Sequence, residues 1–204
     1  LRLKRRGAEF SIMLGDNELM NSRLSGSEQA LATLSCARIA RPDPRILIGG
    51  LGMGFTLRAA LAALGARAQV VVAELAPAVV AWARGPMADL HGASLTDARV
   101  KIEETDVGAL IRAARAAYDA ILLDVDNGPD GLSRASNDGL YNRNGLLAAR
   151  EALRPGGVLA VWSSGPDQRF TESLRRAGFA VEEVKTRANG KSGARHVIWI
   201  GTRL

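Results

Sequence analysis

Ile46-Leu47-Ile48-Gly49-Gly50-Leu51-Gly52-Met53-Gly54-Phe55-Thr56-Leu57-Arg58 is a short aliphatic run that gives way to spaced glycines and then to helix formers. An apolar run without alternation suits a strand covered on both faces, the central position of a parallel sheet. Gly50, Gly52 and Gly54 let the backbone bend sharply and approach a ligand closely, because a Cβ there would fill the ligand's space. The helix that follows, about Phe55 to Leu64, presents free N–H groups and a positive dipole end at its start. The stretch therefore reads as strand, tight turn, helix, with a ligand expected at the turn.

Glycine spacing separates the possible ligands. A dinucleotide-binding turn has the form Gly-x-Gly-x-x-Gly. Counted from Gly50, its third glycine position holds Phe55, and the glycine arrives one residue early at Gly54. Gly-x-Gly-x-Gly is the pattern of class I S-adenosylmethionine-dependent transferases.

Outward from the turn, strands and helices alternate. Gln69 to Ala73 form a buried strand ending at Glu74, and Pro77 opens a helix to about Arg84. Arg99 to Glu103 make the next strand, with Asp106 as cap of the helix Val107 to Ala117. Tyr118 to Asp124 is a strand that runs into an acidic loop. A helix from Asn144 to Leu153 stops at Pro155-Gly156-Gly157. Val158 to Trp162, Phe179 to Thr186 and His196 to Ile200 complete seven strands, with a helix Asp167 to Ala177 among them. Before the glycine turn, Glu9 to Leu14 and Glu18 to Asn21 flank the turn residues Gly15-Asp16-Asn17 and predict a β-hairpin. Ser25 and Glu28 have capping-box spacing at the head of a helix through Ala40. The expected architecture is α/β: a doubly wound, Rossmann-like, seven-stranded sheet of the class I methyltransferase type (residues 25–204), preceded by an N-terminal arm and short β-hairpin (residues 1–24). Right-handed crossovers then put Gly50 to Gly54, Glu74, Asp106 and Asp124 on one sheet edge, where such folds bind ligands.

Composition narrows the function classes. The chain has 204 residues, 47% hydrophobic and 24% charged, the chemistry of one globular domain. No apolar run approaches the ~20 residues of a membrane span and no signal-peptide pattern opens the sequence, so a cytoplasmic location without membrane attachment is expected. Cys36 is the single cysteine, and His91 and His196 stand far apart, which provides no metal-ligand cluster. The net charge of +6 comes mostly from arginines spread along the chain; with 4% aromatic residues there are few stacking platforms, and nucleic acid is not the expected partner.

Four acidic positions carry the chemistry. Glu74 ends the strand after the glycine turn, where a carboxylate accepts from both ribose hydroxyls. Asp106 is placed to accept from an adenine amino group, to cap its helix, or both. Asp124 and Asp126, with Asn127 and Asp130 beside them, form a cluster suited to holding or deprotonating a cationic amine or to binding a divalent ion. With these residues in hand, the sequence from about Glu18 to Trp162 resembles the spermidine synthase family, polyamine aminopropyltransferases on the class I methyltransferase fold. The glycine turn, Val72-Ala73-Glu74, Thr105-Asp106, Tyr118-Asp119-Ala120-Ile121-Leu122-Leu123-Asp124, Leu140-Tyr141-Asn142 and Ala152-Leu153-Arg154-Pro155-Gly156-Gly157 carry the resemblance. It implies nucleoside contacts from Gly50, Gly52, Met53, Gly54, Glu74, Leu75, Asp106, Val107 and Asp124. It also implies catalysis by Asp124 and Asp126, acceptor contacts from Glu28, Asn127 and Tyr141, and a homodimer.

The departures from the family pattern fall on the acceptor side. Met53 stands where the family's turn carries an aspartate, Asn127 replaces the second acid of Asp-Ser-Ser-Asp, Gly26-Ser27 replace Tyr-His, and the N-terminal β-domain is cut to one hairpin. The resemblance thus implies a transferase that binds S-adenosylmethionine, decarboxylated S-adenosylmethionine or methylthioadenosine and alkylates a small-molecule acceptor. Methyl transfer is slightly favoured over aminopropyl transfer, with a non-catalytic nucleoside-binding protein as a further alternative.

Overall fold

The computed structural model describes residues 1–125, 138–189 and 192–204. Its centre is a seven-stranded sheet ordered β6-β5-β4-β7-β8-β10-β9, in which β4 is Arg45–Gly49, β5 Gln69–Ala73, β6 Val100–Glu103, β7 Tyr118–Leu123, β8 Leu153–Ser163, β9 Phe179–Arg187 and β10 Arg195–Arg203. β4 pairs in parallel with β5 and β7, whereas β10 is antiparallel to both its neighbours. Burial follows the two-residue period of a strand. Ile46, Ile48, Val70, Val72 and Leu122 pack on one face against α1 (Gly26–Cys36), α2 (Phe55–Ala63) and α3 (Pro77–Arg84). Leu47, Val71, Ile121 and Leu123 pack on the other against α5 (Val107–Ala113), α7 (Arg143–Ala152) and α8 (Gln168–Arg176). Both faces are covered, which is why these strands read as continuous apolar runs.

A second sheet, β1 (Arg2–Arg6), β2 (Glu9–Leu14) and β3 (Asn17–Asn21), is antiparallel throughout. The expected hairpin is its second half. The arm before it is a third strand: Arg2, Lys4, Arg5 and Arg6 are exposed on a sheet edge, a setting that tolerates cations and discourages pairing with other chains. Phe10 and Ile12 of this sheet join Met53, Phe55 and Met87 in a small third core that seats the sheet on the glycine turn.

Several local expectations change, among them the end of α1, which stops at Cys36 and not at Ala40. The capping box at Ser25 does not form: Ser25 makes no side-chain cap, and Glu28 bonds Ser27 instead. Helix α5 stops at Ala113, four residues early. Strand β8 begins at Leu153, where its pairing with Tyr118 starts. That pairing brings Arg154 onto the buried Asp119 at 2.5 Å, so an ion pair joins the Tyr118-Asp119 motif to the Arg154-Pro155-Gly156-Gly157 motif at the sheet edge opposite the glycine turn.

Candidate active site

The carboxyl ends of β4, β5, β6 and β7 meet the β2–β3 hairpin around a cavity of about 530 Å³. Its wall includes Gly50, Gly52, Glu74, Leu75, Asp106, Val107, Asp124 and Glu28, and on the hairpin side Ile12, Glu18 and Met20. Main-chain bonds fix the strand ends: Gly50 N–H donates to Ala73 O at 2.9 Å, Asp124 N–H to Gly49 O at 3.0 Å and Glu74 N–H to Glu103 O at 2.9 Å.

The turn glycines have positive φ, +89° at Gly50, +48° at Gly52 and +74° at Gly54, a region that disfavours L side chains. A Cβ at Gly50 would lie 2.5 Å from the Asp124 carbonyl oxygen, one at Gly52 2.8 Å from Met20 Sδ and one at Gly54 2.4 Å from His91 Nδ1. The close approach that requires glycine is therefore, at all three, to the protein itself. Met53 is fully buried in the third core and is not part of the cavity wall.

Glu74 is 8% exposed and spans the turn. Its Oε2 accepts from Leu51 N–H at 2.9 Å and its Oε1 from Ala76 N–H at 2.8 Å. Each carboxylate oxygen keeps a further lone pair, so the group can hold the turn and still accept from a ligand hydroxyl in the cavity. Asp106 caps its helix and stands on the cavity wall. Its oxygens accept from Gly108 N–H at 3.0 Å and Ala109 N–H at 3.1 Å as a helix cap, while the residue lines the cavity beside Thr105.

On the other side of the cavity stand two carboxyl groups in poorly solvated positions. Burial pushes the Asp124 carboxyl up to about 7; the charge of Glu28 adds to the rise, and the Thr56 hydroxyl, donating to Asp124 Oδ2 at 2.5 Å, opposes it. Burial raises the Glu28 carboxyl too, against the bond it accepts from Ser27 Oγ at 2.7 Å. Two like charges facing one partly buried space favour uptake of a proton or a cation over joint ionisation. Tyr141 lies in the core with its ring edge-on to Phe170, centroids 5.7 Å apart, and is not part of the cavity wall. Asp126, Asn127 and Asp130 lie outside the described residues.

Sequence reasoning did not find Thr56, Trp162 or His196. Thr56 had a signal: it is a hydroxyl among the buried apolar positions of α2. Trp162 had only its place at the end of β8. His196 had none, because its partner Ser27 is 169 residues away in the chain.

Residues 29–172 match the family model of the spermine/spermidine synthase domain. The chain belongs to the spermine/spermidine synthase family. Among curated proteins, it is 33% identical over 155 residues to polyamine aminopropyltransferase 1 of Streptomyces coelicolor, covering 72% of this chain and 28% of that one. It is 33% identical over 130 residues to polyamine aminopropyltransferase 2 of Pseudomonas aeruginosa, covering 61% and 35%. The chain thus spans about a third or less of these relatives' length. The spermidine synthase from Thermotoga maritima superposes with a TM-score of 0.76 at 18% identity, covering 96% of this chain and 66% of that one. A spermidine synthase in complex with the transition state analogue AdoDATO gives 0.78 at 17%, covering 96% and 67%. At these identities the structural matches establish the fold.

Proposed function

We propose that this chain is the catalytic domain of an aminopropyltransferase, moving the aminopropyl group of decarboxylated S-adenosylmethionine to an amine acceptor and releasing methylthioadenosine. The observation that carries the reading is the placing of two carboxyls, Asp124 and Glu28, on the wall of the cavity that Glu74 and Asp106 also line, where burial raises both and takes Asp124 to about 7. Family membership supports aminopropyl transfer over the methyl transfer that the sequence slightly favoured, since the curated relatives are named polyamine aminopropyltransferases. Under this reading Glu74 and Asp106 orient the nucleoside, while Glu28 and Asp124 neutralise the cationic acceptor, with Asp126 and Asn127 as further acceptor contacts from the adjoining segment.

The chemistry asks for a nucleophile without its proton. Asp124 takes a proton from the acceptor ammonium. The freed lone pair attacks the methylene carbon next to the sulfonium, and the carbon–sulfur bond breaks with its electrons going to sulfur. A group with a pKa of about 7 is matched to that proton transfer near neutral pH. Alignment of nucleophile, carbon and sulfur across the cavity supplies the rest.

Incubating the purified protein with decarboxylated S-adenosylmethionine and putrescine, spermidine or cadaverine, and in parallel with S-adenosylmethionine, tests the reading by mass spectrometry. Methylthioadenosine together with an aminopropylated amine is expected. Formation of S-adenosylhomocysteine without methylthioadenosine would replace it with methyl transfer.

A further inference from the structure

Behind the acceptor side of the cavity a line of polar groups crosses from the first helix to the last strand. Glu28 is on the cavity wall, and its Oε2 accepts from Ser27 Oγ at 2.7 Å. Ser27, fully buried, stands 2.9 Å from Nδ1 of His196, which is half-buried in β10. Trp162 lines the cavity and meets the His196 ring edge-on, centroids 4.8 Å apart, so the imidazole lies behind a residue of the wall. The other hydroxyl in the region leads nowhere: Thr56 joins Asp124 Oδ2 to the main-chain carbonyl of Glu28, at 2.5 and 3.4 Å. Glu28 has an onward side-chain partner.

We propose that Glu28, Ser27 and His196 form a proton path that carries the proton shed by the acceptor amine from the cavity to solvent. The proposal rests on the amine-alkylation reading above. An ammonium acceptor gives up one proton for each group transferred; Asp124 takes it, and Glu28, whose charge acts on Asp124 across the cavity, receives it on the way out. From Glu28 the proton passes to the Ser27 oxygen while the serine proton moves to His196 Nδ1. The imidazolium then loses its Nε2 proton to water, and rotation of the hydroxyl with exchange of the imidazole proton resets the line. Serine both donates and accepts, as such a link requires. Burial raises the Glu28 carboxyl and lowers the His196 imidazole, so the two proton affinities shift toward each other from opposite sides. Opposite His196 in the β9 register is Thr186, so its neighbours Lys185 and Arg187, like Arg195 on β10, project from the other face of the sheet. On the face that His196 shares, the charged pair is Glu182 of β9 with Arg38 beyond the end of α1, joined to each other at 2.6 Å and four residues along β9 from Thr186.

The decisive experiment is an NMR titration of the protein labelled with 15N-histidine. It contains two histidines, and His91→Asn assigns their signals. Glu28→Gln is expected to displace the His196 midpoint and tautomer balance in the wild-type background and to leave both unmoved in a Ser27→Ala background. An equal displacement in the two backgrounds would mean through-space charge alone and would overturn the path. Should Ser27→Ala fail to fold, Ser27→Gly serves the same comparison. In turnover with decarboxylated S-adenosylmethionine and putrescine, Ser27→Ala and His196→Gln are expected to lower kcat roughly ten- to hundredfold, with KM little changed. Added imidazole is expected to restore part of the rate of His196→Gly; undiminished kcat in both Ser27→Ala and His196→Gln would also overturn it. A wild-type protein that forms no methylthioadenosine from decarboxylated S-adenosylmethionine with putrescine, spermidine or cadaverine removes the aminopropyl-transfer reading, while the titration still decides whether the path exists.

Discussion

The Thr56 hydroxyl donates to Asp124 Oδ2 across 2.5 Å, tying the helix behind the glycine turn to the carboxyl at the end of β7. A hydrogen bond to the ionised form favours that form. Thr56→Val removes the bond at nearly constant volume and is expected to raise the Asp124 pKa above its present value of about 7. In kcat/KM the limb that requires the Asp124 carboxylate moves to higher pH, and a 13C titration of the carboxyl reads the same change without turnover. A midpoint that stays in place or falls would show that the hydroxyl does not stabilise the carboxylate.

Asp124 also makes the fold less stable in alkali. Its folded pKa of about 7 lies above the reference value of 3.8. Between these values the folded state keeps a proton the unfolded chain has released, so stability falls as pH rises through the window, by up to about 4 kcal/mol once complete. Asp124→Asn removes this dependence. Urea titrations should find the variant more stable than wild type at about pH 8 and the two equal near the acid end of the window. Equal stability at both pH values would mean that the carboxyl is better solvated than its surroundings suggest.

Glu74 holds Leu51 N–H and Ala76 N–H and stands on the cavity wall, so its replacement tests two functions at once. Glu74→Ala leaves a buried N–H at Leu51 unpaired and is expected to cost about 1–3 kcal/mol of stability. Calorimetry with methylthioadenosine should show weaker binding for Glu74→Ala and for Glu74→Gln. Full stability and full affinity in the alanine variant would assign Glu74 to neither role.

Gly54 and His91 are coupled sterically. Gly54→Ala combines a φ of +74° with a contact of 2.4 Å to His91 Nδ1 and is expected to destabilise the protein by about 2 kcal/mol or more. Adding His91→Ala should recover the part due to the contact, leaving the cost of the backbone and of the new cavity. His91 itself is buried, and that burial, with the Arg58 charge behind it, lowers its pKa to about 4 from 6.5. The unfolded chain therefore binds a proton that the folded state refuses, and the stability this group contributes is present above pH 6.5 and lost as pH falls toward 4. In His91→Leu, thermal scans across that window should show a shallower acid decline. A decline as steep as in wild type would place the acid sensitivity elsewhere.

What could be read from the sequence depended on how local its cause was. β5 shows as Gln69 to Ala73 because Val70, Val71 and Val72 are buried on both faces of a parallel strand, and Asp106 shows as a cap because its partners are two and three residues on. β1 was hidden by its charge, since an edge strand of arginines and a solvated tail have the same composition. The family resemblance implies a ligand contact for Met53; in the fold its side chain turns into the core shared by Phe10, Phe55 and Met87, and the contacts with Phe10 and Met87 are not encoded by nearby residues. The Asp124 side of the cavity was legible in its carboxyls and silent in what surrounds them, because Ser27 and His196 meet only after the whole sheet has been assembled.

The division of the cavity wall between near and distant parts of the chain has a consequence for how such proteins change. Gly50, Gly52, Glu74, Leu75, Thr105, Asp106 and Val107 come from one uninterrupted block of the sequence, whereas Glu28, Asp124 and Trp162 are scattered from the first helix to the end of β8. A block is inherited whole. Under the proposed reading, exchange of sequence outside that block would keep the strand ends that hold the nucleoside while replacing residues that face the acceptor.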